Sequence, residues 1–264
     1  MKNKICTLIT HYNNLEGLKL SVASIEEDIP VDLIIVDDGS KHLPQDSDFD
    51  YTQGSLEIIY LKTNQGAQIA ANTGLQLILS RNYSYVGRLD AGDTCLPFRF
   101  TKQLAYLEEH KETHLLGTWV NIVDENFNFQ YTLKHPEDYE TIQKKMYFNL
   151  MFVHPSVVFR TSVLEEVGLY PENFNVALDY AFIFNVVKKK KVENLPEILL
   201  NYVIDPNSIS TQRRKRQVWN RIRVITKHFY FGYYPVVGLL RNLVLLFVSR
   251  KLSERLKRIL KKKN

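Results

Sequence analysis

The sequence predicts an α/β fold, with a mostly parallel central sheet flanked by helices and followed by C-terminal amphipathic helices. Three observations predict it. Short apolar, β-branched runs alternate with segments of helical period through the first hundred residues. Three of those runs end in polar loops. Beyond residue 212 the pattern turns basic and amphipathic.

Residues 5–10 (ICTLIT) read as a buried parallel strand that stops at the turn residues His11-Tyr-Asn-Asn14. Leu18, Val22 and Ile25 then recur at helical spacing, which predicts a crossover helix over 15–27. Residues 31–36 form the second strand and Asp37-Asp38-Gly39-Ser40 its terminal loop. A third strand over 56–61 leads through Thr63-Asn-Gln-Gly66 into a helix over 67–79. The fourth, over 83–89, delivers Asp90-Ala-Gly-Asp93. Pro97 has a fixed φ and no amide to satisfy, so it is placed at the opening of a helix over 97–110, with Phe100, Leu104 and Leu107 on one face.

In the second half, strands are expected over 115–123, over 152–160 (carrying His154) and over 194–203. Residues 131–147 read as loop and helix on the acceptor side. A short helix over 161–167 ends at Gly168, and another over 175–188 carries Asp179 near its start. Residues 206–211 are a polar loop. Residues 235–248 are apolar but interrupted by Arg241 and Asn242, too short for a membrane span of about 20 residues. Leu252, Leu256, Ile259 and Leu260 among lysines and arginines suit a helix lying in an anionic membrane interface. A helix packed on the core with a solvated basic end is the other reading.

At 264 residues the chain can bury a large core. Cys6 and Cys95 are the only cysteines, with no metal-ligand spacing, which argues against a disulfide framework and is compatible with a reducing cytosol. The start of the sequence lacks the apolar run and cleavage site of a signal peptide. The basic tail lacks an interleaved aromatic platform or base-reading motif, which argues against nucleic acid as partner. No glycine lies between Thr10 and Asn14, where a dinucleotide or P-loop fold needs one.

Open α/β sheets bind ligands beyond the C-terminal ends of their strands. The loops at Thr10–Asn14, Asp37–Ser40 and Asp90–Asp93 all fall at that edge, so one site is expected there. Asp90 and Asp93 across a small-residue turn suit Mg²⁺ or Mn²⁺ beside a phosphate, though Asp and Gly also favour turns for their own sake.

Read together and in order, several motifs resemble glycosyltransferase family 2, the inverting enzymes with a GT-A fold. They are Thr10-His-Tyr-Asn13, Val36-Asp-Asp-Gly-Ser40, Asn64-Gln-Gly66, Ala70-Ala-Asn-Thr-Gly74 and Arg88-Leu-Asp-Ala-Gly-Asp93. Pro97 and Arg99, His154-Pro-Ser-Val-Val-Phe-Arg160 and Ala177-Leu-Asp-Tyr180 complete the set, which covers most of 4–210. The resemblance implies a nucleotide-sugar donor, foremost a UDP-sugar. It assigns Thr10, Tyr12, Asp38, Asn64, Gly66, Arg88 and Asp90 to that donor, with Asp38 accepting from a base imide. It assigns Asp93 and Asp90 to a divalent metal (Mn²⁺ or Mg²⁺). Asp179 becomes the general base that deprotonates an acceptor hydroxyl. His154 is either a contact to acceptor or phosphates or a structural histidine. Three departures stand out: Gly92 where relatives carry a metal-binding aspartate, Leu178 where an acidic residue precedes the base, and Ala71 in place of an arginine.

The expectation is therefore a catalytic domain over 1–212, with a donor half at 1–100 and an acceptor half at 101–212. A basic helical tail over 213–264 would associate with the membrane. The enzyme would extend a bacterial surface glycan of O-antigen, capsule or lipooligosaccharide type, on a glycan or lipid-linked acceptor, as a peripheral protein at the cytoplasmic side of the inner membrane. A catalytically silent nucleotide-sugar-binding scaffold is the alternative.

Overall fold

A computed structural model describes residues 4–174, 176–204 and 214–247. The strands are β1 (Ile5–His11), β2 (Val31–Asp37), β3 (Leu56–Tyr60), β4 (Tyr85–Asp90), β5 (Thr94–Cys95), β6 (Thr113–Val123), β7 (Phe129–Leu133), β8 (Val158–Arg160) and β9 (Lys191–Val203). The helices are α1 (Leu15–Ala23), α2 (Ala67–Ser80), α3 (Arg99–Glu109), α4 (Tyr139–Lys145), α5 (Ser162–Val167), α6 (Leu178–Lys189), α7 (Arg214–Lys227) and α8 (Tyr233–Phe247).

One sheet runs in the order β3-β2-β1-β4-β8-β6-β9-β5, with β7 added to β6. β3, β2, β1 and β4 are parallel, as are β6 and β9, while β8, β7 and β5 run antiparallel to their neighbours. The side chains of β1 and β2 alternate between two buried layers. Cys6, Leu8, Ile34 and Val36 face α2 and α6, while Ile5, Ile9, Leu33 and Ile35 face α1 and α3. Burial on both faces explains why these strands read as continuous apolar runs.

Several boundaries differ from expectation, each for a local reason. α1 stops at Ala23 rather than 27, because Glu27 turns away to cap α3. Its carboxylate accepts from Phe100 N at 2.8 Å and Thr101 N at 2.7 Å. α3 accordingly starts at Arg99, two residues past Pro97, behind a left-handed Phe98 (φ 61°) that has no side-chain cap of its own. Residues 152–160 are not one strand. His154-Pro-Ser156 forms a 3-10 turn, since Pro155 has no amide for a ladder, and only Val158–Arg160 pairs. α6 starts at Leu178 rather than 175, behind a left-handed Ala177. β7 lies where loop was expected. The expected loop at 206–211 and the lysine-rich stretch from residue 248 lie outside the described residues.

α8 packs Tyr234 and Leu239 against the core and brings Gly238 onto α4's C-terminal side. A Cβ at Gly238 would lie 2.3 Å from the Tyr147 carbonyl oxygen, so only glycine permits that approach. Arg241, expected as an interruption, folds back to donate to Phe148 O. Asn242 is buried and donates to Gly238 O at 2.8 Å. The outward face is a stripe of Tyr233, Leu240, Val244 and Phe247, all more than half exposed. Among the described residues no helix is long and apolar enough to cross a membrane.

Candidate active site

Strand register levels three loops at one edge. Thr10 lies opposite Val36 on one side and Asp90 on the other. The loops are then joined by side chains. Ser40 Oγ accepts from Asn13 N at 2.8 Å, and Asn13 Oδ1 accepts from Lys41 N at 2.9 Å. Asn14 caps α1 through Gly17 N and donates to Ala91 O at 3.0 Å. Ser21 holds the Asp90–Asp93 turn, donating to Asp93 O at 2.7 Å and accepting from Gly92 N at 2.9 Å. The fourth loop, before α2, is clamped by Asp38, whose two oxygens accept from Gln65 N at 2.7 Å and Gly66 N at 2.8 Å. Each carboxylate oxygen keeps a further lone pair for a ligand.

The neighbouring Asp37 has the turn role instead. It is fully buried, accepts from Ser40 N at 2.9 Å and pairs with His11 Nδ1 at 2.7 Å. Thr10 is half-buried, Tyr12 and Asn64 are exposed, and Gly66 (φ 100°) faces open space. These four rim the edge above Asp38.

Arg88, expected at the donor, lies buried beside Asp90. It is 1% exposed, with its guanidinium donating to Leu8 O at 3.0 Å and to Asp90 Oδ1 at 3.1 Å. Arg99, also buried, donates to Arg88 O at 2.8 Å and fixes the strand beneath. Burial alone would raise the Asp90 carboxyl, but His154 and Arg88 outweigh it and bring it down to about 2. Asp90 is therefore an anion held in place, with its side chain 42% exposed toward the cleft.

His154 stands 3.8 Å from Asp90 Oδ2 through Nδ1, and its Nε2 meets the Tyr170 hydroxyl at 2.6 Å. Tyr170 is in turn fixed by Asn72, which donates to Tyr170 O and accepts from Tyr170 N, both at 2.9 Å. His154 is thus part of a built chain from Asp90 to α2. Neither Tyr170 nor the clamping role of Asn72 was legible beforehand, because nothing in local spacing signals an apposition across 98 residues.

Asp93 is nearly buried, and its Oδ1 accepts from Val203 N at 2.8 Å. Burial and the Asp90 charge push its carboxyl well above the ordinary range. Asp179 occupies the first turn of α6, half-buried, with no hydrogen-bond or ion-pair partner among the described residues. Two phenols report where these groups lie. Burial raises Tyr170, with the Asp90 and Asp179 charges adding to it. Burial also raises Tyr202, with Asp93, Asp90 and Asp179 adding to it. Asp90 and Asp179 thus act on both rings, and Asp93 on Tyr202.

Among the described residues no three His, Cys, Asp or Glu groups converge on a metal position. Mg²⁺ and Mn²⁺ nevertheless bind through one or two carboxylates completed by phosphate oxygens and water. Asp90 and Asp93 supply that pair, and their mutual repulsion is what a shared cation relieves, so the donor set fits. Gly92 cannot add a third ligand. Its φ of 113° is costly for any other residue, although a Cβ there would meet only Asn14 Nδ2, at 3.5 Å.

Residues 6–168 match the family model described as Glycosyl transferase family 2. An uncharacterized glycosyltransferase of Methanocaldococcus jannaschii is 30% identical over 223 residues, covering 82% of this chain and 76% of the relative. The Escherichia coli O-antigen biosynthesis glycosyltransferase WbnJ is 34% identical over 134 residues, 50% of this chain and 51% of that protein. The match thus spans about half the length of WbnJ. Among solved structures, Staphylococcus aureus TarS 1–349 in complex with UDP-GlcNAc superposes with a TM-score of 0.68 at 17% identity, over 91% of this chain and 71% of that one. The mannosyltransferase PcManGT from Pyrobaculum calidifontis, in complex with GDP-Man and Mn²⁺, gives 0.60 at 15% identity, over 94% and 71%. The fold is GT-A-like, with the expected mostly parallel sheet.

Proposed function

The chain belongs to glycosyltransferase family 2, and from that premise we propose that it moves a sugar from a nucleoside-diphosphate donor, foremost a UDP-sugar, to a hydroxyl of a growing surface glycan. The observation that carries the reading is the strand register and loop bonding that bring Thr10, Asp38, Asp90 and Asp93 to one edge of the sheet. Residues 1–100 make the donor half and 101–212 the acceptor half. WbnJ, named for O-antigen biosynthesis, supports the glycan class. The UDP-GlcNAc complex of TarS supports the donor class.

In this reading Thr10 and Tyr12 flank the base, Asp38 accepts from its imide, and Asn64 and Gly66 line the approach of the diphosphate. Arg88 and His154 hold Asp90 ionised and aimed at the cleft. Asp90 and Asp93 would hold a divalent cation, which when bound would neutralise charge on the leaving diphosphate. Asp179, half-buried and without a hydrogen-bond partner among the described residues, takes the proton from the acceptor hydroxyl as that oxygen attacks the anomeric carbon from the face opposite the diphosphate. The C1–O bond to the diphosphate breaks as the new glycosidic bond forms, and one displacement inverts the centre.

The α8 stripe and the eight Lys and Arg residues between positions 248 and 264 support an anionic membrane surface as partner and a lipid-linked acceptor. The enzyme would work as a peripheral protein on the cytoplasmic face. The test is a panel of UDP-, dTDP- and GDP-sugars with Mn²⁺, Mg²⁺ or EDTA, read by binding, hydrolysis and transfer. Turnover of one donor, reduced by EDTA, is the expected result. Binding without turnover under any acceptor would favour a silent scaffold, and no binding at all would overturn both.

A further inference from the structure

Beside the cleft, one row of polar side chains crosses four strands. Thr94 on β5 is the register partner of Asn201 on β9. Asn201 is the partner of Asn121 on β6, and Asn121 of Thr132 on β7. The side chains are joined in the same sequence. Asn201 Nδ2 donates to Thr94 Oγ1 at 3.2 Å, Asn121 Nδ2 donates to Asn201 Oδ1 at 3.3 Å, and Thr132 Oγ1 donates to Asn121 Oδ1 at 3.3 Å. All four residues are half-buried.

The alternation of the strands fixes which way this row faces. Cys95, Leu200, Val120 and Ile122, next to it in sequence, are buried in the layer under α1 and α3. The row therefore projects from the opposite face, the one that carries α6 and Asp179. It begins one residue after Asp93, whose Oδ1 accepts at 2.8 Å from the amide of Val203, two residues past Asn201. The row leads away from the reacting centre on the side opposite the base-binding loops of β1 and β2.

We propose that Thr94, Asn201, Asn121 and Thr132 form the floor of the acceptor subsite, binding the hydroxyls of an acceptor pyranose. This rests on the transferase reading above and adds the residues that choose the acceptor. Each asparagine amide keeps one N–H and one lone pair open after its bonds within the row, and both threonine hydroxyls keep acceptor capacity. Sugar hydroxyls each donate and accept, so a line of amides and hydroxyls matches them without fixed charge. With strands about 4.8 Å apart, the row spans about 14 Å, room for more than one ring.

The test compares Asn121→Ala, Asn201→Ala and Thr132→Ala with wild type, using the donor selected above and p-nitrophenyl glucoside, galactoside and N-acetylglucosaminide as acceptors. Thr132 lies on the edge strand, where a substitution disturbs the fold least, and Gln130→Ala on the same strand is the control. The expected result is at least a tenfold rise in acceptor KM for each of the three, with donor KM and UDP affinity within twofold and Gln130→Ala unchanged. Unchanged acceptor KM in Thr132→Ala, or donor and acceptor KM rising together, would make the row a structural staple and overturn the proposal. Donor turnover with no pyranoside used by wild type would overturn the pyranose class alone. No turnover of any donor would instead overturn the transferase reading, and this proposal with it.

Discussion

Asp38→Asn separates two roles that one carboxylate combines. In the native chain each oxygen accepts one backbone amide, from Gln65 at 2.7 Å and Gly66 at 2.8 Å, and the side chain is nearly buried. Asparagine keeps one acceptor and turns an N–H₂ toward the other amide, so one bond is lost and two donors face each other. A hydrogen bond to a charged group contributes about 1.5–3 kcal/mol. Gln65 is exposed and its amide can rehydrate, so the lower half of that range applies and the expected loss is about 1.5–2 kcal/mol. That is a measurable fraction of a domain's stability of about 5–15 kcal/mol. Urea unfolding should show a lower midpoint at unchanged slope, and calorimetric UDP binding should weaken by at least tenfold. Full stability with weakened UDP binding would refute the clamp. Lost stability with intact UDP affinity would refute the contact to the base.

Asn72→Ala should cost about 2–3 kcal/mol, since it strips both partners from the buried Tyr170 backbone; an unchanged urea midpoint would show that water replaces the amide. Stability should also fall on acidification. Burial lowers His135 to about 4, and burial with the Lys227 and Lys188 charges lowers His228 to about 4. Below their ordinary value near 6.5 the unfolded chain takes up protons that the folded rings refuse, so this stability is complete above about pH 6.5 and is lost as pH falls toward 4. The slope is at most about 1.4 kcal/mol per pH unit per histidine, lessened by solvent at half-buried rings, and urea titrations at pH 4.5 and 7 check it. Replacing Leu240 and Val244 together by Asp should lower sedimentation with phosphatidylserine vesicles at least tenfold, as two side chains each worth about 1.5–3 kcal/mol on burial leave the interface; unchanged sedimentation would remove α8 from the membrane contact.

The parallel half of the fold was legible because β1, β2 and β4 are buried on both faces and their runs end in polar loops. The loop edge carrying Thr10, Asp38 and Asp90 followed from the same pattern. Helix starts were less legible, because α3 is capped from a distance by Glu27 and not by a residue of its own. β7 was missed because Phe129 and Tyr131 are exposed, so the strand shows no buried face to read. In the site, single carboxylates were legible as residue types, but their partners were not. The turn role of Asp37 needs His11, the positioning role of Arg88 needs Leu8 O, and Tyr170 needs Asn72. Each is an apposition created by packing.

The most direct test of the central claim is single-turnover transfer by Asp179→Asn set beside Asp90→Asn, with donor binding measured on both. The account predicts that Asp179→Asn binds donor within a fewfold of wild type but transfers at least a hundredfold more slowly, in keeping with a lost general base. Asp90→Asn should weaken donor binding itself. Transfer by Asp179→Asn at near wild-type rate would contradict the account and leave the base to another group.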